Sequence, residues 1–497
     1  MKKICLVLLG LSLAACSIQN FPQEEFRGVW VATVVNIDWP KSGADNVEQQ
    51  KEDFLKILDT YEALHFNTLI VQVRTAGDAL YPSKKAPWSR YLTGEEGQPK
   101  LGFEDPLKWM IASTHERGMQ FHAWFNPYRA TFDLDTTLLD ANHDFYQKRD
   151  WMVKYGKKNY YNPGIPSVWK HLTEVVEEVV DQYAIDGVHF DDYFYPYKIP
   201  EAIFNDSLAY QQYATQNQSL GDWRRSNVDS LVENVHQMIQ RKKPWVQFGI
   251  SPFGVWKNKS TDPQGSETQA GQTTYEDLYA DPLVWIENQW IDYIVPQAYW
   301  SMNHPKASHQ KVTEWWASRS QNTLLFMGNG PYKIRNNADK AWNKKREIPE
   351  QLAMARAMKS VRGNVFFSAK SLMGQHNDVV KYLKKKVYRS PAKVPALEKT
   401  TKPLLRPKLI NVREKKDIWE VKVIHKDSVP RYLSLFETDE GGTNTLLQQT
   451  YMGKDDFEGY FSLKKKAKFK KQELGIQVQN TMGAKSDTLL FYIKEFR

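Results

Sequence analysis

The sequence predicts a (β/α)₈ barrel followed by a small all-β sandwich, and three observations carry the prediction. Between residue 27 and about residue 371, eight apolar or β-branched runs alternate with helix-like stretches. Strands alternating with helices build a parallel sheet with crossover helices, and eight units over about 350 residues suit a closed barrel with some long loops. At about residue 391 the composition changes, and the remaining chain reads as short alternating segments separated by turns. No G-x-G-x-x-G follows the first run, which weakens the alternative of a doubly wound open sheet.

The elements follow in order. Lys2 and Lys3 precede the short apolar stretch Ile4–Ala15, and Leu13-Ala14-Ala15-Cys16 ends it. Such a stretch is too short for a stop-transfer helix and fits a signal peptide. The last four residues resemble the bacterial lipobox, which implies cleavage before Cys16 and its acylation. Residues 1–20 are therefore expected to be signal peptide and tether, with the mature protein exported and lipid-anchored, the outer membrane facing the periplasm being the expected location. The alternative is an ordinary signal peptide with a chance cysteine. Cys5 and Cys16 are the only cysteines, so after cleavage neither a disulfide nor a cysteine metal site can support the fold.

The barrel is expected over 24–390. Its strand candidates are Arg27–Val35, Asn67–Arg74, Gln120–Asn126, Asp186–Tyr193, Trp245–Ser251, Asp292–Trp300, Leu324–Asn329 and Gly363–Lys370. Helices are expected over Gln50–Leu64, Ser167–Tyr183 (with Pro166 near its start) and Asp222–Arg241. A linker, 391–407, opens at Ser390-Pro391. The sandwich, 408–497, is of immunoglobulin or fibronectin type by its spacing: Lys408–Val412, Ile418–Ile424, Tyr432–Glu437, Gly459–Leu463, Gly475–Val478 and Thr488–Ile493, with a turn at Gly441-Gly442.

The net charge of +9 suits an acidic partner. For an exported lipoprotein that partner is an anionic wall or glycan rather than nucleic acid, and the membrane is reached through Cys16. A solvated basic surface explains Lys384–Lys386 and Lys464–Lys466 equally well. The 17 tryptophans suit stacking on sugar rings, although most belong to the core.

Alternation along each strand separates barrel-facing side chains from helix-facing ones. Val188 and Phe190 suit the helix layer, which turns His189, Asp191 and Tyr193 inward. Asp192 shares the outward phase, but it sits at a strand end where the chain turns. By the same rule His122, Trp124, Asn126, Gln297, Tyr299, Gln72 and Arg74 face inward. Polar groups from four strands therefore converge on the C-terminal ends of the strands, where barrel enzymes place their chemistry.

At these residues the chain resembles the glycoside-hydrolase-like family ten, barrel proteins of bacterial lipoproteins and walls. The stretches that carry the resemblance are Glu25–Thr33 (EFRGVWVAT), Phe66–Arg74 (FNTLIVQVR), Pro87–Gly94 (PWSRYLTG), His122–Arg129 (HAWFNPYR), Asp186–Tyr197, Gly249–Trp256 (GISPFGVW) and Asp292–Trp300. The resemblance implies a TIM-like barrel acting on peptidoglycan strands that lack peptides. Their free lactyl carboxylates would suit the basic balance and Arg74. More distantly, Asp186–Asp191 resembles the fourth strand of the α-amylase superfamily, whose last Asp is the nucleophile. The chain departs from that pattern, since strand five ends Gly249-Ile250-Ser251-Pro252 with no carboxylate. The chitinase-like acid position falls on Tyr193, and strand seven ends without a carboxylate too.

Glycoside hydrolysis uses two carboxyl groups flanking the bond, one protonated and one acting as nucleophile or base. Asp191 is the first candidate for nucleophile or base. Asp192 is adjacent, and two close carboxyls raise each other's pKa. Asp38, just past strand one, and Asp78, just past strand two, are the other candidates for the acid, and Glu267 is a weaker one. His189 is expected to bond Asp191 or the sugar. Asn126, Gln297 and Tyr299 suit sugar hydroxyls, with His122, Tyr193 and Arg74 beside them. Trp30, Trp124 and Trp300 are stacking platforms or core. Asp191-Asp192 as a strand-end cap is the structural alternative. A metal site is another, but no tight ligand spacing appears, so neither a metal nor a cofactor is expected. Two functions stay open at this point, a glycan hydrolase and a catalytically silent glycan-binding lipoprotein using the same cleft.

Overall fold

The computed structural model describes residues 22–397, 399, 402–438, 444–466, 469 and 472–496. Cys16 and the Gly441-Gly442 turn lie outside them. Eight parallel strands close into a barrel: β1 (Phe26–Val31), β2 (Thr68–Arg74), β3 (Gln120–Phe125), β4 (Gly187–Phe190), β5 (Gln247–Ile250), β6 (Tyr293–Ile294), β7 (Leu324–Asn329) and β8 (Val361–Phe366). Each neighbours the next in sequence, and β8 closes on β1 through Phe26–Gly363 and Val29–Phe366. Every expected run carries one strand.

The sixth is much shorter than its run. Pro296 has no N–H to give the ladder, so regular pairing stops at Ile294. The chain continues close to β5 and β7, and Gln297 bridges to Phe253 and Gly328.

The helices form where their caps and faces direct them. Asn46 accepts from the Gln49 N–H and starts helix Val47–Ala63. Pro166 occupies the first turn of Pro166–Gln182, where its missing N–H costs nothing. Ser219 accepts from the Asp222 N–H at the head of Leu220–Lys242. Their apolar stripes cover the outward side chains of the strands, among them Val71, Val73, Phe121, Ala123, Val188 and Phe190.

The barrel interior is a separate cluster of Phe26, Trp30, Ile70, Trp124, Tyr293, Phe326 and Val365, with Phe26 stacked on Phe326 at 4.0 Å. Room for Tyr293 comes from Gly249, where a Cβ would lie 2.0 Å from the tyrosine ring.

The C-terminal residues form two antiparallel sheets. One has three strands in the order Lys408–Glu414, Ile418–Ile424, Glu458–Lys464; the other has four in the order Asn444–Met452, Arg431–Thr438, Leu474–Asn480, Leu489–Phe491. Strict alternation of buried and exposed residues in Glu458–Lys464 builds a core with Trp419, Val421, Leu433, Leu435 and Ile476.

This domain docks on the N-terminal ends of the barrel strands. Tyr432 donates to Asp186 Oδ1 at 2.8 Å, the Tyr451 ring stacks on His115 at 3.6 Å, and Lys399 pairs with Asp292 at 2.8 Å. The segment expected as a linker is strapped to the barrel, with Lys393 bridging Glu24 and with Ala392 and Val394 buried. The opposite, C-terminal face stays open.

Candidate active site

At that open face a cavity of about 260 Å³ is lined by residues from or just past all eight strands, among them Trp30, Gln72, Trp124, Asp191, Ser251, Gln297, Tyr332 and Phe367. Asp191 follows the last residue of β4 and is 4% exposed. Its Oδ2 accepts from Trp124 Nε1 at 3.1 Å and Asn126 Nδ2 at 2.9 Å, and its Oδ1 from the Tyr193 N–H at 3.3 Å. Asp192 lines the cavity as well, despite its outward phase, because the chain turns there; Tyr197 donates its hydroxyl to Asp192 Oδ2.

Burial, and then the charge of Asp192, pushes the Asp191 carboxyl up to about 7. Burial also pushes Asp192 up to about 6, against the hydroxyl of Tyr197 and the amide of Gln297, which favour its charge. Two adjacent buried carboxyls thus keep a proton between them close to neutral pH. The Arg129 guanidinium favours the charged form of both. It sits 4.8 Å over the Tyr193 ring, and its Nε is buried with no hydrogen-bond partner among the described residues.

Beneath the cavity the inward side chains form a neutral ladder. Trp30 Nε1 donates to His189 Nε2 at 3.2 Å, so Nδ1 carries the proton and meets the Tyr293 hydroxyl at 3.0 Å. Tyr293 in turn meets His122 Nδ1 at 2.8 Å, leaving His122 Nε2 to donate to Gln120 at 3.1 Å. Burial holds His189 well below its ordinary pKa and takes His122 down to about 4. Both imidazoles are neutral and fully engaged. His189 bonds Trp30, Ser251 and Tyr293 rather than Asp191, and His122 lies too deep to line the cavity.

The structure brings together Asp191, Asp192, Trp30, Trp124, Tyr193, Gln297 and Tyr299 at the cavity, with Asn126 behind Asp191. It places the remaining candidates elsewhere, each for a local reason. Asp38 is wrapped by the Ala32 and Lys370 N–H groups and the Ser368 hydroxyl, at 2.8, 2.9 and 2.8 Å, tying the loop after β1 to the loop after β8. Asp78 closes its own turn, accepting from the N–H groups of Thr75 and Ala76. Neither lines the cavity.

A register shift in β2 sets Arg74 beside Phe125, in the outward phase. The guanidinium then reaches Tyr161, 3.1 Å away, instead of the cavity. Trp300 packs edge-on against Phe253 at 5.6 Å, behind the wall. Glu267 is exposed and paired with Lys259.

The site residues that sequence reasoning missed include Arg129, Tyr332 and Phe367, which line the cavity, and Tyr197, which bonds Asp192. Arg129 ends the stretch His122–Arg129, three residues beyond an inward Asn126, and that placement was the available signal. Among the described residues no cluster of three or more His, Cys, Asp or Glu is placed to hold a metal ion.

A closed (β/α)₈ barrel with two buried, proton-holding carboxyls under an aromatic-walled cavity has the make-up of a glycosyl hydrolase. Residues 25–344 match the model of the family Glycosyl hydrolase-like 10, and the chain belongs to that family. It is 43% identical over 400 residues to the glycosyl hydrolase YngK of Bacillus subtilis (strain 168), covering 79% of this chain and 78% of that protein. It is 36% identical over 404 residues to the glycosyl hydrolase DigH of Escherichia coli (strain K12), covering 73% of this chain and 91% of that one. The chain is therefore a glycosyl hydrolase.

Proposed function

We propose that the protein cleaves O-glycosidic bonds in a bacterial cell-wall glycan, namely peptidoglycan strands that have lost their peptides. The observation that carries this reading is the buried Asp191-Asp192 pair beside Arg129. One carboxyl of the pair donates its proton to the glycosidic oxygen. The other attacks the anomeric carbon or takes a proton from the water that does. The pair acts as a unit holding one proton, with Asp191 at the reacting position, because its two oxygens are oriented by three N–H donors.

Trp30 and Trp124 offer faces to the sugar ring, and Gln297 and Tyr299 offer polar groups to its hydroxyls. The role first given to Arg74, meeting a lactyl carboxylate, passes to Arg129, which lines the same chamber as the aspartates. The surplus of nine positive charges supports a polyanionic substrate.

We also propose that Cys16 is lipidated and anchors the protein in the outer membrane facing the periplasm. The C-terminal sandwich is a domain of fibronectin type III or immunoglobulin kind. Among the described residues no helix is long and apolar enough to cross a membrane.

The test is incubation with glycan strands stripped of peptide by an amidase, reading new reducing ends and product masses. Wild-type protein should release oligosaccharides, and Asp191→Asn and Asp192→Asn should each lose at least a hundredfold in rate. Absence of products from these strands, with cleavage of a different polysaccharide, would refute the substrate assignment and leave the family standing.

A further inference from the structure

The cavity over Asp191 has room for little more than the reacting sugar, so a polymer must be held elsewhere as well. A second cleft, of about 720 Å³, lies where the loop after β2 meets the loop after β3 and the N-terminal half of helix Pro166–Gln182. Arg129, which lines the cavity, donates from Nη1 to the Thr75 carbonyl at 3.4 Å, so the loops after β2 and β3 that build the cleft also meet at the active site.

The cleft floor is held by a chain of hydrogen bonds. Arg74 donates to Tyr161 at 3.1 Å, Tyr161 to Asp144 at 2.8 Å, and His171 bonds the same carboxylate at 2.7 Å. Lys148 pairs with Asp144 and lies 5.2 Å over the Trp151 ring, while Lys85 pairs with Glu174 at 2.6 Å.

What remains for a ligand is of one kind. Trp88 and Trp151 are half-buried and line the cleft. Lys84 and Lys170 are exposed on its rim and make no ion pair among the described residues. Three acids line the cleft: Asp144 and Glu174 are already paired, although Glu174 also lies within electrostatic reach of Lys170, and Asp140 makes no ion pair among the described residues, its Oδ1 being taken by the Asn142 N–H.

We propose that this cleft is a second sugar-contact site for the same polymer, in which hexosamine rings lie on Trp88 and Trp151 and a carboxylate carried by the strand meets Lys84 and Lys170. The inference rests on the anionic glycan strand proposed above as substrate. Pyranose C–H faces pack against indole surfaces, and two exposed ammonium groups on the rim favour a ligand that brings negative charge. The cleft therefore acts on long strands and leaves short substrates untouched.

Binding is measured with the inactive Asp191→Asn protein and peptide-free peptidoglycan glycan strands. Lys84→Ala with Lys170→Ala, and separately Trp88→Ala with Trp151→Ala, should each weaken binding about tenfold or more. The lysine effect should fade in 1 M salt and be missing with uncharged chitin oligosaccharides, whereas the tryptophan effect should persist with both. In the otherwise wild-type enzyme the lysine pair should raise KM for long strands and leave hydrolysis of a short soluble substrate unchanged. The two lysines are surface residues, so their replacement tests the idea even if the tryptophan variant fails to fold. Binding of strands by both variants as tight as by the parent overturns the second site and leaves the substrate assignment intact. Failure of the parent itself to bind strands overturns both.

Discussion

Asp191→Asn should stabilise the protein against unfolding, and should do so much more at pH 8 than at pH 5. The carboxyl is raised from its ordinary 3.8 to about 7, chiefly by burial and then by the charge of Asp192. A group whose pKa is higher folded than unfolded holds its proton more tightly in the folded state. Its contribution is complete below the unfolded value and is lost as pH rises through the folded one. At about 1.4 kcal/mol per pH unit, a rise of this size amounts to about 4 kcal/mol once both states are ionised. At pH 5 the unfolded chain has already released most of its proton while the folded chain has not, so about 2–3 kcal/mol of the loss falls between pH 5 and pH 8.

Asparagine removes the titration and keeps an oxygen for Trp124 and Asn126. Urea unfolding of wild type and variant at the two pH values gives the comparison directly. The advantage of the variant should grow by about 2–3 kcal/mol on going to pH 8. A gain equal at both pH values, or a loss at pH 8, would show that Asp191 is ionised without cost, and the proton-holding pair would be wrong.

The same pair predicts a narrow bell for kcat/KM against pH, with limbs near 6 and 7 that belong to the dyad as a unit; a profile flat from pH 5 to 8 contradicts it. Asp38→Ala strips acceptors from the Ala32 and Lys370 N–H groups and should cost about 2–4 kcal/mol in urea unfolding, with the pH limbs of the residual activity unmoved. Gly249→Ala drives a methyl into the Tyr293 ring and should cost about 3 kcal/mol, with loss of soluble expression as the first sign. Tyr432→Phe removes a donor from buried Asp186 and should lower stability by about 1–3 kcal/mol, read as a fall in thermal midpoint with kcat unchanged.

All eight strands were legible because period-two alternation survives wherever a strand faces a barrel interior on one side and helices on the other. The inward phase of β4 and β3 is enough to put Asp191, Trp124 and Asn126 together, as their hydrogen bonds show. Phase arguments fail where the backbone breaks step. The shift between Gln72 and Arg74 turned an expected inward arginine outward, and Pro296 cut short the sixth strand.

Strand Asn444–Met452 was missed because it is a sheet edge with only Leu446 and Met452 buried, so its sequence has no apolar alternation to see. Asp38 and Asp78 were visible as carboxylates past strand ends. That a loop folds back to wrap such a carboxylate with N–H groups depends on tertiary contacts, in the case of Asp38 with residues about 330 positions away. Arg129 and Tyr197 act on the aspartates from irregular loops, where no periodicity assigns a direction.

The fourth strand shows how one barrel separates stability from chemistry along a single stretch of chain. Asp186, just before its start, and Asp191, just past its end, are both buried carboxyls. Asp186 sits under the sandwich, buried, with its oxygens taken by the Phe121 N–H, His115 and Tyr432. Asp191 is bonded as thoroughly, but it opens on a cavity and has a second carboxyl at its side. The docked domain closes the face where Asp186 lies and so fixes the strand from below. Its upper end is then free to hold two like groups that repel each other and resist ionisation. That arrangement is unfavourable for folding and useful only to a reaction that needs a proton held near neutral pH.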